Sequence, residues 1–131
     1  MQVIQCRKEN IVEYIFENDR PIYIQIVEKI RTQIVSGVLL QGQRLLSVRE
    51  LALEYKVNPN TMQKALVELE EEGLIYTERT NGKFVTSDNK LIQKTRNELA
   101  KEKVKKYIND MSDIGISKQE ATKYLQEFGG K

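Results

Sequence analysis

Leu45-Leu-Ser-Val-Arg-Glu-Leu-Ala-Leu-Glu-Tyr-Lys-Val-Asn-Pro-Asn-Thr-Met-Gln-Lys-Ala-Leu-Val-Glu-Leu-Glu-Glu-Glu-Gly73 decides the fold of this chain. Ser47 and Glu50 stand in the S-x-x-E spacing of a capping box, which predicts a helix from Val48. Val48, Leu51, Ala52 and Tyr55 then repeat at helical spacing. Asn58 can cap a second helix, with Pro59 at its first position, where the missing N–H costs nothing. Met62, Ala65, Leu66 and Leu69 give that helix one apolar face, and Gly73 supplies its left-handed end. Two short helices around a tight turn are a helix-turn-helix pattern.

Downstream, Leu74-Ile-Tyr-Thr and Lys83-Phe-Val-Thr are two short β-prone runs flanking Asn81-Gly82, a hairpin-turn dipeptide. Upstream, Pro21 opens a helix whose stripe is Ile22, Ile26, Ile30 and Ile34, with Tyr23 and Val27 beside it. Gly37 is a plausible end for it, and Val38 to Leu45 reads as a loop or short strand. The fold class is mainly α: three helices and a hairpin wing, then a two-helix tail. Ile11 to Phe16 reads as a short strand or the start of a helix in an amino-terminal arm.

The 131 residues are 40% hydrophobic and 31% charged, which suits a soluble globular chain rather than a disordered one. Net charge is only +2, so distribution carries the argument. Two lysines and no acid lie between Lys56 and Val67, while Glu68, Glu70, Glu71 and Glu72 crowd the far end of the same helix. Such a helix offers its amino-terminal end to an anion.

Cys6 is the lone cysteine and histidine is absent. No intramolecular disulfide can form, no Cys/His zinc site can be assembled, and imidazole acid-base chemistry is missing. No metal, cofactor or enzymatic activity is expected. No apolar run approaches the roughly 20 residues of a membrane span, and a signal peptide's apolar core is missing. A cytoplasmic protein is expected.

Several separated motifs resemble the DNA-binding domain of the GntR family of bacterial transcription regulators. They are Pro21-Ile-Tyr-Ile-Gln-Ile, Gly42-Gln-Arg-Leu-Leu-Ser-Val-Arg-Glu-Leu-Ala, Val57-Asn-Pro-Asn-Thr-Met-Gln-Lys-Ala-Leu, Leu69-Glu-Glu-Glu-Gly-Leu-Ile and Gly82-Lys-Phe-Val. They run from Pro21 to about Thr86, in the family's order and spacing. Leu46 stands where the family usually has proline, and Pro59 and Gln63 where many members carry arginine. Arginine-based base contacts do not carry over to those two positions. The Asn-Pro-Asn-Thr version is similar to the small YtrA-like branch.

The resemblance implies a dimeric, sequence-specific repressor on a palindromic operator in double-stranded DNA. Members of that branch often sit beside transporter genes, which implies a transporter operon. The competing reading is a winged-helix protein-interaction module with no DNA site of its own. The helix from Pro59 would enter the major groove. Asn58, Asn60, Thr61, Gln63 and Lys64 lie on its first turns. Asn60 or Gln63 can bond an adenine edge twice, and Lys64 can reach a guanine or a phosphate. Thr61 and Ser47 read as phosphate contacts, Arg49 matches the family's Ser-x-Arg-Glu arginine, and Gly82 and Lys83 form the wing tip. Asn58 reads first as a cap.

Leu91 to Met111 reads as a long charged helix with Ile92, Leu99, Val104, Tyr107, Ile108 and Met111 on one face. Asp113-Ile-Gly115 breaks it, and Ser117-Lys-Gln-Glu120 is a second capping box. Ala121, Tyr124, Leu125 and Phe128 form the next stripe, ended by Gly129-Gly130. Two helices bury both faces poorly alone, which implies a partner: either the winged domain, onto which they would fold back, or, as the YtrA-like resemblance implies, a second copy in a homodimer. The tail is also too small to enclose a metabolite pocket of about 300–1,000 Å³ within one subunit. Lys101 to Lys106 could touch DNA, although a solvated face is the ordinary reading. The expected organisation is an arm over 1–20, a winged domain over 21–88 and a dimerisation tail over 89–131.

Overall fold

A computed structural model describes residues 15–129. The part of the arm reading that falls on 1–14, and residues 130–131 of the tail, lie outside the described residues. The order of elements is α1 (Ile22–Val35), α2 (Val48–Tyr55), α3 (Pro59–Glu71), β1 (Ile75–Glu78), β2 (Gly82–Val85), α4 (Asn89–Asp113) and α5 (Lys118–Gly129). The chain divides after Lys94 into two compact units.

In the first unit, α3 is the central element, packed against α1, α2 and β1. Its Met62, Ala65, Leu66 and Leu69 are fully buried against Ile26, Ile30 and Ile34 of α1 and Leu51, Ala52 and Tyr55 of α2 within one core. Burying each large aliphatic side chain contributes about 1.5–3 kcal/mol. Both sequence-level caps form. Ser47 Oγ accepts from the Glu50 N–H at 3.1 Å, and Glu50 Oε1 accepts from the Ser47 N–H at 2.9 Å. Asn58 Oδ1 accepts from the Asn60 N–H at 2.7 Å. Lys56, between the helices, takes the left-handed conformation at φ 58°.

Gly73 follows α3 at φ +82°, and a Cβ there would lie 3.1 Å from Leu91 Cδ2. Handedness and space therefore both favour glycine. The wing is an antiparallel pair with Ile75 opposite Val85 and Glu78 opposite Gly82. Its turn differs from a two-residue Asn-Gly hairpin. Arg79, Thr80 and Asn81 form the tip, the Asn81 N–H donates to the Glu78 carbonyl at 3.2 Å, and Gly82 follows at φ +98°. The loop before α2 adds a short third edge to the wing. Arg44 bridges Phe84, the Leu45 N–H donates to the Lys83 carbonyl at 2.8 Å, and the Val85 N–H donates to the Gln43 carbonyl at 2.9 Å.

The segment before α1 is tied down by a buried amide. Gln25 Oε1 accepts from the Glu17 N–H at 2.8 Å, and Nε2 donates to the carbonyls of Glu17 and Arg20 at 2.9 Å each. A bidentate Arg31–Glu72 pair links α1 to the end of α3, with Nε 3.1 Å from Oε1. The acidic end of α3 is thus partly used for packing.

The helix after the wing starts earlier than its apolar pattern implies. Asp88 Oδ1 accepts from the Leu91 N–H at 3.2 Å, and α4 begins at Asn89. Ile92, read from sequence as part of the tail's face, is buried in the core of the first unit. The residues through Lys94 therefore pack with the winged unit.

In the second unit, Gly115 breaks the helices at φ +82° and the Ser117/Glu120 capping box forms. Tyr107 donates its hydroxyl to the Ala121 carbonyl at 2.8 Å, which holds α5 against α4. Ala121 is buried, but Val104, Tyr124, Leu125 and Phe128 are exposed. No helix among the described residues is long and apolar enough to cross a membrane.

Candidate nucleic-acid interface

The inward face of α3 is spent on the core, so its outward row is Asn60, Gln63, Lys64 and Val67, all exposed. Asn60 and Gln63 make no side-chain hydrogen bond among the described residues, and their amides are free to reach a base edge. Thr61 is half-buried at the side of the helix. Asn58 is exposed, but its oxygen is engaged in the cap, which leaves only the amide NH2 for a partner. The Lys64 ammonium lies over the Tyr23 ring, 4.1 Å from its centroid. That cation–π contact draws it toward the start of α1 and away from the row of amides.

A groove of about 760 Å³ opens between the amino terminus of α2 and the wing. Ser47, Val48 and Glu50 line it on the helix side, and Thr77 to Thr80, Gly82 and Lys83 on the wing side. Arg49, on the first turn of α2, is exposed and without a salt bridge among the described residues. Glu50 is held below the usual carboxylate range, first by the Ser47 backbone N–H and then by the Ser47 hydroxyl, so it stays charged. Its charge is directed into the cap.

Lys83 does not extend from the wing tip. Its ammonium donates to Thr77 Oγ1 at 2.8 Å and pairs with Glu70 Oε1 at 3.4 Å, leaving 17% of the side chain exposed. Two residues that pattern reading missed line the same groove, Arg44 and Arg79. Arg44 sits directly before the Leu-Leu-Ser run, which made it legible as a neighbour of the cap. Its pairing with Phe84 is non-local and left no trace in periodicity.

The wing, the capped pair of helices and the polarised α3 agree with a family model, the bacterial regulatory proteins of the gntR family, that matches residues 22–85. The HTH-type transcriptional repressor YtrA of Bacillus subtilis is 34% identical over 117 residues, covering 85% of this chain and 90% of that protein. The chain belongs to the GntR family. A solved GntR family transcriptional regulator from Listeria monocytogenes is 44% identical, with a TM-score of 0.80, covering 86% of this chain and 98% of that one. The solved AraR(DBD) in complex with operator ORX1 is 30% identical, with a TM-score of 0.53, covering 57% of this chain and 96% of that one. This GntR-family chain is a winged-helix DNA-binding transcription regulator, and the nearly full-length match to YtrA agrees with the YtrA-like motif in α3.

Proposed function

We propose that this GntR-family chain is a homodimeric repressor that occupies a palindromic operator in the cytoplasm. The observation that carries the reading is the division of labour on α3. One face is buried to the last residue, and the opposite face presents free amides above a capped amino terminus. In this reading α3 lies in the major groove. Gln63 and Asn60 read bases, while Ser47, Arg49, Thr61 and Lys64 set register on phosphates. Gly82, at the start of β2 and just after the tip formed by Arg79, Thr80 and Asn81, lies beside the DNA backbone in this reading, and the Asn58 amide lies within reach of that backbone.

Dimerisation is supported by the exposed apolar residues Val104, Tyr124, Leu125 and Phe128. A two-fold dimer would set half-sites about 10 base pairs apart, or a multiple of that. Repression is supported by the similarity to YtrA, an HTH-type transcriptional repressor. Selection of bound duplexes from random DNA, followed by an electrophoretic shift, tests the reading. A palindromic consensus with about one helical turn between half-sites is the expected result. Enrichment of no sequence would sink it. Arg49→Ala should weaken binding to operator and random DNA alike and flatten the salt dependence by about one unit per lost contact.

A further inference from the structure

We infer that the wing's cation for the DNA backbone is Arg44, on the third edge of the wing, and that Lys83 serves as a positioning residue tying the wing to α3. The inference rests on the chain's being a DNA-binding regulator and deepens it at the wing.

Arg44 is exposed and makes no ion pair or hydrogen bond through its guanidinium among the described residues. Its backbone is nonetheless fixed, because Arg44 bridges Phe84 and the neighbouring Leu45 N–H donates to the Lys83 carbonyl. The guanidinium lies across Gly82: a Cβ there would be 3.5 Å from Nε and 3.6 Å from Nη2. A charged fork therefore lies over Gly82, the first residue of β2 after the tip, in space that a side chain there would crowd. It faces the groove that Ser47 bounds from the other side. Both carboxylates in that groove have hydrogen-bond partners of their own. Glu50 accepts from the Ser47 N–H and feels the Arg44 charge only as the weakest of the influences on its ionisation, and Glu78 Oε1 accepts from Asn81 Nδ2 at 3.1 Å. Arg79 lines the groove from the tip, with no side-chain hydrogen bond or ion pair among the described residues to fix it. A planar fork suits a phosphate in two-point contact.

Lys83 has the opposite character. It is mostly covered, and both partners it has belong to the protein, Thr77 across the wing and Glu70 on α3. Reaching a phosphate would cost both contacts. Held in place, they set the distance between wing and recognition helix.

Fluorescence anisotropy of the full-length chain tests this on two duplexes, one recovered by selection and one random, across a salt series. Arg44→Ala should weaken binding to both duplexes and flatten the slope of log K against log salt by about 0.9 for each contact removed. Arg44→Lys should restore most of the slope, which a merely structural role for the arginine would not predict. Lys83→Ala should leave the slope unchanged and loosen only the selected duplex, and Glu70→Gln should reproduce that effect without further loss in the double variant. An unchanged slope in Arg44→Ala, or a slope lowered by Lys83→Ala, overturns the assignment. Circular dichroism of each variant identifies loss of fold, and the charge-retaining Arg44→Lys decides the case if alanine is not tolerated. Failure of the unmodified chain to bind either duplex would instead sink the DNA-binding reading itself.

Discussion

Leu66 on α3 and Phe128 on α5 both belong to the apolar stripe of an amphipathic helix, yet Leu66 is 0% exposed and Phe128 is 94% exposed. The difference extends to their units. The first unit encloses three helices and a hairpin around one core, and among the described residues every buried apolar one except Ala121 belongs to it. The second offers two helices, among whose described residues one side-chain hydrogen bond joins them, and a row of uncovered apolar groups. Amphipathicity alone therefore says that a helix has a partner and does not say where. Three elements with faces turned inward complete a core, whereas two helices leave half of each face in water.

The largest effect should come from separating the units. Removing 95–131 should leave a folded monomer and lower affinity for a palindromic operator about 100-fold to 10,000-fold, because the half-sites are no longer linked. Cutting further back, at 89, also removes Ile92 and Leu91 from the core and should cost about 2–5 kcal/mol of stability. Sedimentation equilibrium and thermal unfolding of both truncations test this. A full-length chain that stays monomeric at tens of micromolar would break the contrast between the units.

Point substitutions sharpen it. Leu66→Ala should cost about 2–5 kcal/mol in urea unfolding, through lost burial and the cavity left behind. Phe128→Ala should change the stability of an isolated chain by less than about 0.5 kcal/mol and yet weaken dimerisation. If the two cost the same in unfolding, the second unit has a core of its own.

On the outward face of α3, Gln63→Ala should cost about 1–3 kcal/mol on the selected duplex and little on random DNA. Equal losses would make Gln63 a register contact only.

The smallest effect concerns the cap that borders the groove. Ser47→Ala should cost about 1 kcal/mol of stability. Because the folded-state pKa of Glu50 is depressed, its contribution is present above the ordinary carboxylate pKa and is lost as pH falls through the folded value. Glu50→Gln should therefore destabilise at neutral pH and become silent in acid. A penalty that persists in acid would assign the cap to geometry rather than charge.

Most of the fold was legible in local pattern. Periodicity marked the inward faces of α1, α2 and α3, the S-x-x-E and Asn-Pro signals marked their starts, and Gly73 and Gly115 marked helix ends. Each of these is decided within one or two turns of chain, by steric and hydrogen-bonding rules that act on neighbours. The row Asn60, Gln63 and Lys64 followed by subtraction, as what the buried face leaves outside. Tertiary structure decided the rest. It moved Ile92 into the winged core, put the Lys64 ammonium on Tyr23, drew Lys83 back to Glu70 and Thr77, and laid Arg44 over Gly82. The charged side chains among them meet partners 6 to 41 residues away in sequence, from Thr77 for Lys83 to Tyr23 for Lys64, and a long charged side chain has several partners within reach of its stem. Which partner it takes depends on how the elements pack, and no local period records that choice.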